Sequence, residues 1–153
     1  MSLAIRQARR GDVLEIVHLL AADAIREMDE DLSESLPQAY TDAYERIAAD
    51  PKQLLVAAES DGEVVGTLQL TLIPYLMYRG GTVAQIEAVR VAAHLRGKGI
   101  GEQMVRWAIE RAQEHGCVRV QLTTNKARAD AHRFYERLGF VATHEGLKLF
   151  LGS

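Results

Sequence analysis

A mixed α/β fold (α+β by some schemes) is what the 153-residue chain predicts, and three observations predict it. Apolar runs with strand character recur along the chain, hairpin signals join some of them, and two helical stretches each lie between strands. Hairpin strands combined with crossover helices imply a mixed, mostly antiparallel central sheet of about seven strands with helices on both faces.

The elements follow in order. Leu3 to Ala8 alternates as a short first strand. Asp12 followed by Glu15 reads as a capping box opening a helix whose inner face carries Val13, Ile16, Val17 and Leu20. Pro37 starts a second helix, 37–49, ended by Asp50–Pro51. Leu54–Ala58 and Val64–Ile73 are strands joined at Asp61–Gly62 as a hairpin, and Pro74 ends the second of them. Thr82–Ala92 is the next strand. A helix over 100–115 presents Ile100, Met104, Trp107, Ala108 and Ala112 on one side and stops at Gly116. Val118–Thr124 is a strand, 128–138 a helix stopped by Gly139, and 140–143 and 147–151 a closing pair of strands. Within 82–92 the apolar positions change parity: Ile86 and Ala88 are even, Val89 and Val91 odd. A β-bulge produces such a change; a strand buried on both sides gives it as well.

Composition narrows the class. Apolar content of 48% and charged content of 25% suit a soluble globule, expected as a single domain over 1–153. A net charge of −3 gives no overall pull toward nucleic acid. The single cysteine, Cys117, excludes an internal disulfide and a cysteine-based zinc cluster. The five histidines lack ligand spacing, so no metal site is expected. No run is apolar enough to span a membrane, and the opening residues lack a signal-peptide core. A cytosolic (cytoplasmic) location is the default expectation.

The most informative stretch is VRVAAHLRGKGIG, Val89 to Gly101. Gly97, Gly99 and Gly101 stand at the start of the helix, with Arg96 and Lys98 among them. Glycines let backbone approach a ligand closely, and a helix start offers free N–H groups and the positive end of the dipole. A pyrophosphate-bearing cofactor fits such a turn. Glu102 and Gln103 follow Gly101 where a Walker loop needs Lys and Ser or Thr, and the sixth position from Gly97 is Glu102, so a dinucleotide GxGxxG also fails.

RGKGIG resembles the acyl-CoA pyrophosphate loop of the GNAT superfamily of N-acetyltransferases. The strand IEAVRV at 86–91 resembles the one that precedes that loop. NKARADAHRFYERLGF at 125–140 resembles the second motif, with Asn125, Tyr135 and Gly139–Phe140 in the family's places. From about Pro74 onward the chain is similar to aminoalkylphosphonate N-acetyltransferases; the first fifty residues are less so.

The resemblance implies transfer of an acetyl group from acetyl-CoA, as cosubstrate, to a primary amine of a small molecule, by direct attack in a ternary complex. An alkyl amine of pKa about 10.4 is free in only about one molecule in 10³ near pH 7, so a base must take its proton. The resemblance puts Glu87 in that role, directly or through water; the bland reading is an exposed strand carboxylate. Tyr135, on the inner stripe of the last helix with Ala131, Phe134 and Leu138, is placed to give the leaving thiolate a proton, against the alternative of a core tyrosine. Val89 and Val91 act through their backbones on the pantetheine arm and the thioester carbonyl. Arg96, Gly97, Lys98, Gly99, Ile100 and Gly101 hold the diphosphate, and Asn125 contacts the cofactor. Arg133 is read as an exposed helix residue and His132 as solvated or capping. Asp23, Glu27, Asp29, Glu30, Asp31, Glu34, Asp42 and Glu45 form either a rim attracting a cationic amine or a solvated acidic surface. Tyr40, Tyr44, Tyr75 and Tyr78 line an acceptor cleft or simply pack. A homodimer is an expectation carried from relatives; nucleic-acid and membrane partners are not expected. The competing readings are a non-catalytic acyl-CoA sensor or regulatory module, and a protein-lysine acetyltransferase.

Overall fold

The computed structural model describes residues 2–22 and 36–152. In chain order it contains β1 (Leu3–Gln7), a 3-10 turn (Arg10–Asp12), α1 (Val13–Ala22), α2 (Gln38–Ala49), β2 (Gln53–Ser60) and β3 (Glu63–Pro74). A short helical segment α3 (Met77–Gly80), β4 (Thr82–Val91), a second 3-10 turn (Ala93–Leu95), α4 (Ile100–Glu114), β5 (Arg119–Leu122) and α5 (Ala129–Arg137) follow. The strands form one sheet in the order β1-β2-β3-β4-β5, antiparallel throughout except for the parallel pair β4–β5 on either side of α4.

That sheet has five strands, not the seven or so expected. Residues 140–143 and 147–151 form no strand. Alternation of Leu147, Leu149 and Leu151 supplies the side-chain period of a strand, but a strand also needs a neighbour for its backbone hydrogen bonds. β5 is the last strand of the sheet, and residues 140–152 pair with none of the described strands.

Apolar periodicity decides which face each helix covers. Leu68, Leu70 and Ile86, at alternate positions of β3 and β4, are buried against Ile100, Met104, Val105 and Ala108 of α4. Truncating one such leucine to alanine costs about 2–5 kcal/mol. Gly66 lets α4 lie this close: a Cβ there would stand 2.9 Å from both Sδ and Cε of Met104. On the opposite face Ile16 of α1 packs with Ala57 and Val64.

Local signals mostly held. Asp61 and Gly62, at φ 52° and 81°, turn the β2–β3 hairpin with both central residues left-handed, as a two-residue loop requires. At the end of α4 the Cys117 N–H donates to the Ala112 carbonyl across Gly116, which sits at φ 69°. The Asp12–Glu15 capping box does not form. The Asp12 carboxylate is taken by the Arg6 guanidinium (2.7 and 3.1 Å) and by the Arg9 N–H (2.7 Å), while Glu15 accepts from the Val64 N–H at 3.0 Å. A charged guanidinium is the stronger donor, so Asp12 ties β1 to the turn rather than starting α1.

Candidate functional site: the β4–β5 opening and the start of α4

β4 is the strand that builds the site. Its pairing with β3 runs Gln69↔Glu87 and then Thr67↔Arg90, so β4 spends one residue more than β3 between these pairs. This is the bulge, and Ala88 sits in it at φ 56°. A left-handed alanine is strained by roughly 1–2 kcal/mol, and strain of this kind collects where a site needs a particular backbone course. The bulge reverses the parity of the strand. Before it Ala84 and Ile86 face the α4 core; after it Val89 and Val91 do.

β4 also leaves β5. The pair is in register from Val83↔Arg119 to Ile86↔Leu122 and no further, while β4 stays on β3 as far as Val91. On that side residues 87–91 pair with no described strand. The Ala92 N–H donates to Val65 of β3 at 2.8 Å; by strand alternation, Val91 and Val89 turn their backbone groups the other way, and there the Val89 carbonyl accepts from the Arg90 guanidinium at 2.9 Å.

α4 starts at the mouth of this opening. Gly99, its N-cap, is left-handed at φ 83°, Gly97 is at φ 81°, and no side chain caps the helix. The first ladder bond is Gln103 N–H to the Gly99 carbonyl at 3.1 Å, which leaves the amides of Ile100, Gly101 and Glu102 as the free donors of a helix start. A Cβ built on Gly97 or Gly99 would meet nothing within 4 Å, so the loop is an open cradle; one on Gly101 would lie 3.6 Å from the Phe134 ring and 3.7 Å from Val91. Exposed Arg96 and Lys98 flank the amides. A diphosphate fits this donor set.

α5 closes the third side. Phe134, Tyr135 and Leu138 pack against the main core, and Tyr135 meets Phe134 and Phe140 edge-on at 5.0 and 5.7 Å between ring centres. The Tyr135 hydroxyl makes no hydrogen bond with any described residue. Burial pushes its pKa up, against the opposing pull of the Arg90 and Arg128 cations, so it is a protonated donor at neutral pH.

Glu87 stands exposed at the bulge, on the sheet face opposite α4. A directional chain of hydrogen bonds ends on it. Arg119 donates to the Tyr78 hydroxyl (2.6 Å) and to Gln121 Oε1 (3.1 Å); Gln121 Nε2 donates to Gln85 Oε1 (2.7 Å); Gln85 Nε2 donates to Glu87 Oε1 (2.9 Å). A guanidinium can only donate and an ionised carboxylate only accept, so the two amides between them have one consistent orientation. Gln69 and Thr71 continue the same polar surface, both donating to Gln53 Oε1 (2.8 and 2.9 Å). The sequence reading missed this surface. Its signal was there: polar residues at odd positions of β3, β4 and β5, opposite apolar even ones.

Other expected site residues are placed as follows. Asn125 Oδ1 accepts the Ala127 N–H (2.9 Å), closing the turn into α5. Arg133 pairs with Asp130. His132, expected to be solvated or capping, has a buried Nε2 with no partner among the described residues, because the helix face it occupies is covered rather than open. Tyr75 stacks on Tyr78 at 6.2 Å, beside the Arg119 chain, whereas Tyr44 lines a separate cavity of about 160 Å³ between α2 and the β1–β2 edge. Of the acidic run, Asp42 bonds Gln38 and Glu45 pairs with Arg10; Asp23, Glu27, Asp29, Glu30, Asp31 and Glu34 lie outside the described residues. No group of three potential metal ligands occurs among the described residues, and no helix among them is long and apolar enough to cross a membrane.

Comparison with known proteins decides what this geometry belongs to. Residues 18–140 match the Acetyltransferase (GNAT) family. The chain belongs to that family. The aminoalkylphosphonate N-acetyltransferase of Salmonella typhimurium (strain LT2) is 35% identical to this GNAT chain over 107 residues, 70% of this chain and 69% of that protein. A transcriptional regulator from Bacillus halodurans C-125 has the same fold at TM-score 0.94 and 48% identity, covering 98% of this chain and 100% of that one. A predicted acetyltransferase from Clostridium acetobutylicum, solved with acetyl-CoA, shares the GNAT fold at TM-score 0.76 and 21% identity, over 98% and 97% of the two chains.

Proposed function

We propose that this GNAT chain transfers an acetyl group from acetyl-CoA to the primary amine of a small molecule. The carrying observation is the convergence of a strand edge (87–91) that pairs with no described strand, an uncapped glycine-rich helix start and a hydroxyl on α5 without a partner among the described residues. In this reading the amides of 97–102 with Arg96 and Lys98 hold the diphosphate of CoA. The turned-out backbone groups of Val89 and Val91 pair with the pantetheine arm, and one N–H polarises the acyl carbonyl as an oxyanion-hole donor does. Asn125 adds a cofactor contact at the end of β5. CoA supplies the activated thioester.

The chain's own residues move the protons. Glu87 takes one from the ammonium or the attacking amine, directly or through water, and the Gln85–Gln121–Arg119 chain holds its carboxylate in place through Oε1. As the N–C bond forms and the C–S bond breaks, Tyr135 gives its proton to the departing sulfur. Its raised pKa matches an acid that must hold that proton until the thiolate appears.

The test is an amine panel assayed for CoA release, with acetyl-CoA binding measured by calorimetry on the same sample. Turnover with a small primary amine supports the reading. Tight acetyl-CoA binding with no turnover on any small amine or lysine peptide would replace it with the sensor reading, and turnover on peptides alone with the protein-lysine one.

A further inference from the structure

We propose that the acceptor amine is polyhydroxylated, an amino sugar or an aminopolyol, and that its hydroxyls lie along a row of uncharged polar side chains crossing the sheet beside Glu87. This rests on the acetyl-transfer reading above and names the acceptor of that same site. Strand register sets the row. Gln53 of β2 pairs with Thr71 of β3, Thr71 with Gln85 of β4, and Gln85 with Gln121 of β5. Residues directly opposite one another on paired strands share a face, so the four stand abreast on the face opposite α4. Three strand intervals make the row about 14 Å wide. Gln69 and Glu87 are a pair in the next row of that face, about 7 Å further along. The four members and Gln69 are half-buried, and Glu87 is exposed.

Hydrogen bonds within the row fix what it offers a ligand. Gln53 Oε1 accepts from Gln69 Nε2 (2.8 Å) and from the Thr71 hydroxyl (2.9 Å), which leaves Gln53 Nε2 as a donor and Gln69 Oε1 as an acceptor. Gln121 and Gln85 each spend one amide hydrogen on the next member, at 2.7 and 2.9 Å, and keep the other. Glu87 takes its bond on Oε1 and keeps Oε2. Donors and acceptors thus stand side by side over four strands, and the row itself carries no charge. The cation at its β5 end, Arg119, already donates to Tyr78 and Gln121. A hydroxyl both gives and takes a hydrogen bond; an ionised acid only takes one, and an alkyl chain does neither. Several hydroxyls on one molecule match both kinds of group at successive strands while the nitrogen reaches Glu87. A site built this way rejects the analogue without hydroxyls, because its own polar groups then go unpaired.

The test compares amines of matched size by CoA release from acetyl-CoA, with acetyl-CoA binding measured on the same sample. Glucosamine and glucamine (1-amino-1-deoxysorbitol) are expected to exceed cyclohexylamine, hexylamine and 2-aminoethylphosphonate in kcat/KM by at least about tenfold. Gln69→Leu and Gln53→Leu are each expected to raise the KM for glucosamine about tenfold, more than they lower kcat, and so to narrow its lead over hexylamine. Melting temperatures of both variants confirm that they fold. Equal kcat/KM for hydroxylated and hydroxyl-free amines, preference for the phosphonate, or an unchanged lead in both folded variants would overturn the proposal and leave the acetyl-transfer reading standing. Tight acetyl-CoA binding with turnover of no amine at all would remove both.

Discussion

Tyr135→Phe separates chemistry from stability more cleanly than any other single change in this protein. The substitution removes one oxygen. The ring keeps its edge-on contacts with Phe134 and Phe140, at 5.0 and 5.7 Å. The hydroxyl has no hydrogen bond to a described residue, so the ~0.5–1.5 kcal/mol that a protein hydrogen bond contributes to folding is not at stake. Folding stability should therefore stay within about 0.5 kcal/mol of the parent. A general acid contributes roughly 10²–10⁴ in rate, which is about 3–5 kcal/mol of barrier at 1.36 kcal/mol per decade. Burial raises the phenol pKa from its usual 10.0, so the group stays protonated through neutral and mildly alkaline pH. The expected result is a kcat lower by two to four orders of magnitude, with acetyl-CoA affinity and melting temperature unchanged. Thiol release measured against thermal melting and calorimetry checks all three. Equal turnover in the two proteins would remove Tyr135 as the proton donor, and a large drop in melting temperature would mean the hydroxyl is structural.

Four further substitutions test the remaining parts. Gln121→Glu keeps the shape of the Arg119–Gln121–Gln85–Glu87 chain but removes the donor that Gln85 accepts from; kcat should fall about tenfold with little change in acetyl-CoA affinity, and Glu87→Gln should flatten the acidic limb of the pH–rate profile. Gly99→Ala places a Cβ in the open cradle at φ 83°; stability should fall by about 1–2 kcal/mol and acetyl-CoA affinity, by calorimetry, at least tenfold. Asp12 has its pKa lowered, chiefly by the Arg6 hydrogen bonds. Its stabilisation is thus present above the unfolded carboxylate value of about 3.9 and disappears as pH falls through the lower folded value. Asp12→Asn should cost about 1.5–3 kcal/mol at pH 7 and much less at pH 2, by denaturant melts at both.

How much was legible depended on whether a signal was local. The turn at Asp61–Gly62, the span of α4 and the stop at Gly116 each follow from the residues themselves, and the structure agrees with all three. The parity change from Ile86 to Val89 was open to a bulge or to a strand buried on both sides, and the register with β3, together with left-handed Ala88, decides for the bulge. Pairing is not local. The sequence of 147–151 has strand alternation whether or not a neighbouring edge is available, so the strand count came out too high. Asp12 failed for a related reason: Arg6, six residues earlier, outcompetes the amide that a short-range rule assigns to it. At the site, the loop and α5 motifs were readable as strings. The polar chain from Arg119 to Glu87 spans two strands in register and is visible only once that register is known.

The uncapped start of α4 also ties folding to ligand supply. An anion seated on the first-turn amides is expected to slow their exchange with solvent, and by binding the folded chain alone it would stabilise it by mass action, about 2.7 kcal/mol at a hundredfold excess over Kd.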